Sequence, residues 1–265
     1  MNEIMTREHF VNLEKLYHYT SFTAAVKIIE SKKLRFGKLS KMNDIRESYR
    51  VIFHHDDIKE ECIKSELEKY QQISMTEDYA PRRGFDIPAM WGHYADKGEG
   101  VCLVFDKAKL KSCFPDEMMS DSVCYKDDYD GDILISQEDK SDLQTLFRDR
   151  KKELFFTKSH DWSYEQEFRL LTRNDVEQYE LSYGDSLIGI IFHFAESEKE
   201  RSKSVFNSVE KRIMDKIKDA GIEVFVYGRW DKDPTLTHDD ELAEDWSCLN
   251  KHQGLKLDTT SPGRV

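Results

Sequence analysis

Little in this sequence can staple the chain or span a bilayer. Of its 265 residues, five are cysteine: Cys62, Cys102, Cys113, Cys124 and Cys248. The number is odd and no C-x-x-C pair occurs, so neither a disulfide framework nor a zinc ribbon is signalled. No apolar run approaches the roughly 18 residues that a membrane helix needs. MNEIMTREHFVNLEKL has no positive segment followed by an apolar core, so no secretory signal is expected. The patterns G-x-G-x-x-G, G-x-x-x-x-G-K and G-x-S-x-G are absent. That argues against a dinucleotide fold, a phosphate loop and an α/β-hydrolase.

Positive charge is also short. Lys plus Arg is 40 and Asp plus Glu is 52, so the formal net charge is 40 − 52 = −12. A protein whose main affinity is for a nucleic-acid backbone needs clustered Lys and Arg. One local basic groove would still be compatible with this balance. A reducing, cytoplasmic setting is the default expectation, with no membrane partner.

What is present suffices for a folded core. Aromatic residues make up 12%, too many for a disordered chain. A unit of this length buries roughly three-quarters of its unfolded surface, so no staple is required. LEKLYHYTS (13–21) reads as a short strand, and Thr20 or Ser21 can cap the amphipathic helix FTAAVKIIESKK. Residues 56–72 carry a weak helical period, QQISMT resembles a strand, and 137–157 reads as a charged helix. VCLVFD and residues 165–171 read as strands. DSLIGIIFHF (185–194) is a continuous apolar strand, buried on both faces. Residues 197–220 read as a helix ending at Gly221, and IEVFVYGRW as the last strand. The expected division is one domain over 1–230 and a polar extension over 231–265, loose beyond about residue 250.

Three stretches place polar groups where a core should be. In LYHYTS, His18 sits between two tyrosines. In AMWGHYADKGEG, Trp91, His93 and Tyr94 precede a glycine-framed turn. In FFTKSHDWSYEQEFRLL, Glu165, Glu167 and Arg169 recur at alternate positions. MNDIRES, with Asn43, Asp44 and Glu47, is a weaker fourth. Each has a structural reading: a hydrogen-bonded strand-end histidine, an aromatic corner, a salt network on one strand face where i and i+2 lie about 6.6 Å apart. HHDD (54–57) lacks a second cluster at ligand spacing and reads as a solvated run.

Together, histidine, tyrosine and glutamate on three elements suit cleavage of an N-glycosidic bond. The departing base needs a ring to stack on, and the ribose hydroxyls need a hydrogen-bonding partner. The oxocarbenium-like transition state needs a fixed carboxylate. A neighbouring arginine would keep that carboxylate ionised. By spacing, Glu167 is expected to be bound by Arg169 or a cross-strand base, and Glu165, nearer the loop of Trp162, to reach the substrate.

These blocks carry a resemblance. LYHYTS, AAVKIIESKKLRFGKLSKMNDIRES, MWGHYADKGEGVCLVFD and KSHDWSYEQEFRLL are similar to the motif series of the bacterial domain-of-unknown-function 2971 family, over roughly residues 14 to 230. By motif order that family resembles the ADP-ribosyltransferase-like fold. The resemblance implies an α+β single domain with a split mixed/antiparallel β-sheet flanked by helices. It implies NAD as substrate, no metal, and a toxin-type role, often in phage defence. His18 would contact the NAD ribose, and Tyr94 or Tyr19 would stack on nicotinamide. Glu165 or Glu167 would be the catalytic glutamate. Thr20, Asn43, Trp91, His93 and Arg169 would line the NAD site. A macromolecular acceptor, nucleic acid or protein, and a regulatory or antitoxin protein are the implied partners. Two other classes stay open: a non-catalytic nucleotide-sensing module, and a nuclease-type toxin.

Overall fold

The computed structural model describes residues 13–41, 51–54, 60–80, 82–126, 133–136, 143–193, 217, 219–228, 235–238 and 254–255. The strands are β1 (Lys15–Thr20), β2 (Lys33–Arg35), β3 (Gly37–Lys38), β4 (Val51–His54), β5 (Tyr70–Glu77), β6 (Val101–Asp106), β7 (Met119–Ser122) and β8 (Cys124–Lys126). There follow β9 (Ile133–Ser136), β10 (Thr157–Ser159), β11 (Glu167–Arg173), β12 (Glu180–Ser182), β13 (Leu187–His193), β14 (Glu223–Gly228), β15 (Thr235–His238) and β16 (Gly254–Leu255). The α-helices are α1 (Phe22–Ser31), α2 (Glu60–Leu67), α3 (Pro88–Tyr94), α4 (Lys107–Ser112), α5 (Leu143–Asp149) and α6 (Lys151–Phe155). The fold is α+β, with a mixed open sheet flanked by helices.

The chain divides into two compact units. One comprises Met1–Lys33, Thr76–Cys113 and Tyr183–Val265; the other comprises Leu34–Met75 and Phe114–Ser182. In the first unit the strand order is β16-β15-β14-β13-β6-β1, and Thr76 and Glu77 at the end of β5 pair with β1. The neighbours are antiparallel except β13 and β14, which run parallel. β6 is buried along its whole length, its final Asp106 included, and β13 along all but its last residue, as the apolar runs over 101–105 and 187–192 require.

Alternation gives β1 two different faces. Tyr17 and Tyr19 point one way; Leu16, His18 and Thr20 point the other. In the ladder Thr20 lies opposite Val101, and Val101 opposite Phe192, so these three share a face. Phe22 of α1 meets Phe192 there at 6.4 Å between ring centroids. α1 is capped by Ser21, whose hydroxyl accepts from the Ala24 amide at 3.2 Å, and it buries Ala25 and Ile29.

In the second unit β3 and β11 both neighbour β5, and β7 pairs antiparallel with β11. Separate two-stranded pairs are β8 with β10, β4 with β9, and β2 with β12. The core gathers Ile63, Phe147, Leu154, Phe155, Phe156 and Leu171 around Tyr70. The rings of Tyr70 and Phe155 stack at 4.6 Å. Burial pushes the Tyr70 hydroxyl up to about 12. Glu66 of α2 accepts from Arg173 at the end of β11 and from Lys69, and Arg173 chiefly holds its carboxyl below the ordinary range.

Three readings of the sequence need correction. The single helix expected over 137–157 is, in its described part, two short helices and the start of β10. The backbone breaks at Arg150 (φ −100°, ψ 18°), and Phe155 and Phe156 turn into the core. β14 is not the last strand, because β15 and β16 extend the sheet beyond it. Glu165 is not on a strand: it ends a 3-10 turn, His160–Glu165, and β11 begins at Glu167. Most of the helix expected over 197–220 lies outside the described residues, as do Asn43, Asp44 and Glu47 and most of the HHDD run. Gly221 takes the positive φ (67°) that its expected capping role needs.

Candidate functional site

Each unit assembles one set of the polar residues singled out above. In the first unit, the segment before β6 folds against the Tyr17 and Tyr19 face of β1. Tyr19 donates its hydroxyl to the Gly84 carbonyl at 2.6 Å, and Trp91 donates its indole N–H to the Phe85 carbonyl at 2.8 Å. Their rings meet edge to face at 5.2 Å. Trp91 also stacks on Tyr227 at 5.7 Å and 11°, and His193 lies 5.2 Å from Trp91. Tyr227 donates to the Asp86 carboxylate at 2.6 Å. All the large rings but His193 are buried. Burial pushes the phenols of Tyr17 and Tyr19 well above their ordinary value.

Tyr94 and His93 end α3. Tyr94 is half-buried, His93 is exposed, and their rings lie 6.2 Å apart. His18 and Thr20 are half-buried on the opposite face of β1 from Tyr19. The structure thus brings Tyr19 and Trp91 together and sets His18 on the other side of the strand from both.

In the second unit, Lys158, Glu165, Glu167 and Arg169 form one buried cluster, none more than 5% exposed. Two features of the chain create it. Gln166 adopts the left-handed conformation (φ 45°, ψ 50°) between the 3-10 turn and β11, so Glu165 enters the cluster from the turn and not from the strand. β10 places Lys158 beside both glutamates. Its ammonium lies 2.6 Å from Glu165 Oε2 and 3.5 Å from Glu167 Oε2. It also stands 4.7 Å above the Trp162 ring, within cation–π reach.

Arg169 grips Glu167 with two N–H groups, Nε to Oε1 at 2.8 Å and Nη2 to Oε2 at 2.9 Å. Its third group, Nη1, donates to the Phe155 carbonyl at 2.5 Å. Ser74 donates to Glu167 Oε1 at 2.5 Å, and the Tyr125 hydroxyl accepts from the Glu167 amide at 2.9 Å. Burial alone would push the Glu167 carboxyl up. The Arg169 guanidinium, with Lys158 and the Ser74 hydroxyl, overrides it and holds the carboxyl down at about 2. Among the described residues, two cations balance two anions there, the condition under which charges tolerate burial.

Residues 90–170 match the family model described as protein of unknown function DUF2971. The matched span contains Trp91, His93, Tyr94, Lys158, Glu165, Glu167 and Arg169, and the sequence resemblance to that family holds there. His18 and Ser74 lie outside it. No curated protein and no solved structure matches the chain. Among the described residues, no group of three or more His, Cys, Asp or Glu side chains could hold a metal ion. Nor is any described helix long and apolar enough to cross a membrane.

Sequence reasoning missed Lys158 and Ser74. The only signal for Lys158 was its place in FFTKS, a single charge beside an aromatic pair that begins a short strand. Lysines are seldom buried unless paired, and its partners lie beyond a turn whose shape the sequence does not announce. Ser74 gave no signal beyond its place in a strand.

Proposed function

We propose that the chain is an NAD-consuming enzyme that cleaves the nicotinamide N-glycosidic bond, in the manner of the ADP-ribosyltransferase-like proteins its motifs resemble. The observation that carries this reading is the buried pair Glu165 and Glu167, held by Lys158 and Arg169 beside the Trp162 ring. Cleavage breaks the bond between ribose C1′ and the ring nitrogen. The electron pair leaves with nicotinamide and cancels its pyridinium charge. The ribosyl group is left as an oxocarbenium cation, which an oxygen or nitrogen nucleophile captures before releasing its proton to solvent. A carboxylate fixed in advance stabilises that cation without reorganising. Glu167 stays ionised across the physiological range, as the task requires. With water as nucleophile the enzyme is an NAD glycohydrolase; with a hydroxyl or amine of a macromolecule it is a transferase. The further reading as a toxin in antiviral defence rests on the resemblance alone.

A second reading has its own support. Because the four charges cancel one another, the cluster can be wholly structural, leaving a non-catalytic nucleotide-binding module. Incubation with NAD, followed by assay for free nicotinamide and for labelled ADP-ribose on added protein or nucleic acid, separates the two. Release of nicotinamide by the parent, abolished in one of the two glutamate variants Glu165→Gln and Glu167→Gln, supports the enzyme. NAD binding without release supports the module.

A further inference from the structure

We infer that substrate reaches the buried cluster through the face of β5 at Ser74, and that Glu167 is the carboxylate it meets. This rests on the NAD-cleaving reading. β5 has eight residues, and Ser74 is the single exposed one, in the middle of a strand otherwise buried or half-buried. Its hydroxyl is nevertheless bonded to Glu167 Oε1, a group 3% exposed. One side chain therefore spans from solvent to the buried carboxylate. Next to it on the same face stands Gln72, 2% exposed, whose amide donates to Ser74 Oγ at 3.4 Å. The other end of that amide, Oε1, is buried and has no hydrogen-bond partner among the described residues. Buried acceptors are nearly always satisfied. An open one beside the exposed hydroxyl is what a site built for a ligand N–H or O–H leaves behind. Ser74 is the exposed end of this run of contacts, and Glu167, Arg169 and Lys158 behind it are all buried. Glu165 joins them through its ion pair with Lys158.

The test plugs this approach. Ser74→Trp fills the position with a bulky ring that an exposed strand site accepts, and Ser74→Ala removes the hydroxyl without blocking anything. Both lose the hydroxyl's bond to the buried carboxylate, so both should melt below the parent and by similar amounts while remaining folded. With NAD as probe, Ser74→Trp should lose at least about 100-fold in nicotinamide release, since a displacement of about 1 Å at a reacting centre already costs that much. It should also lose the thermal shift that NAD gives the parent. Ser74→Ala should stay within about tenfold, the worth of one hydrogen bond. Parent-like turnover and NAD shift in Ser74→Trp would overturn the inference and leave the enzyme reading intact. An equal loss in Ser74→Ala would overturn the approach route as well, because the hydroxyl and not the opening would then matter. A parent that neither cleaves nor binds NAD would overturn both.

Discussion

The two glutamates show how different neighbours give one residue type different work. Glu167 accepts from a bidentate guanidinium and a hydroxyl, with the Lys158 ammonium at 3.5 Å, whereas Glu165 takes that ammonium at 2.6 Å. Changing Glu167 to Gln strips Arg169 of its charge partner. Breaking a buried pair typically costs about 3–5 kcal/mol, so Glu167→Gln should melt measurably lower than the parent as well as lose turnover. Trp91 and Tyr94 are three residues apart on α3 and divide in the same spirit. Trp91 is 3% exposed and packed by Tyr19, Tyr227 and His193, so Trp91→Ala should cost about 3–5 kcal/mol in a denaturant titration. Tyr94 is half-buried, and Tyr94→Ala should cost far less stability. Equal destabilisation by the two would contradict the division.

At the scale of elements, the regular patterns were the legible ones. The alternation of KLYHYT, the 3.6-residue period of FTAAVKIIES and the apolar run LIGIIFH each predict the element that forms. What escaped were departures from period. Gln166 takes a left-handed conformation without being glycine, so nothing in the sequence shows that Glu165 leaves the strand. The short strands Thr235–His238 and Gly254–Leu255 are stabilised by pairing to the sheet and not by an apolar pattern, so the first reads as polar, aperiodic chain and the second as loose chain. The salt network of Glu165, Glu167 and Arg169 was legible in those three members, and Lys158, its fourth, was not. Close approach also left its mark. A Cβ on Gly100 would stand 2.3 Å from the Thr20 carbonyl and 2.8 Å from the Ala95 carbonyl, both backbone. Gly100→Ala should therefore force β6 away from β1 at its start, at a cost of about 1–3 kcal/mol, the usual penalty of overpacking. A melting temperature equal to the parent's would refute that.

At the scale of the whole molecule, the charge clusters set the pH range of stability. Glu167 falls from an ordinary value of 4.5 to about 2 on folding. A depressed carboxyl contributes stability that is fully present above about pH 4.5 and is lost as pH falls toward about 2. Glu66 acts in the same direction. Tyr70 and Tyr183 rise from 10.0 to about 12 through burial. Their contribution is fully present below about pH 10 and is lost as pH climbs through about 12. Urea unfolding across pH should therefore show a plateau with an acid limb below about 4.5 and an alkaline limb above about 10. In Arg169→Met, where Glu167 has lost its principal cation, the acid limb should flatten.

The central claim is that a buried, pre-ionised carboxylate in this chain serves glycosidic cleavage of NAD. The most direct measurement is the rate of free nicotinamide release from NAD by the purified parent and by Glu167→Gln at neutral pH, under conditions where both remain folded. The account predicts release by the parent and a fall of about 10²–10³ in the variant, the usual cost of removing one preorganised charge-stabilising group. Absence of release by the parent, or equal rates for the two proteins, would contradict it.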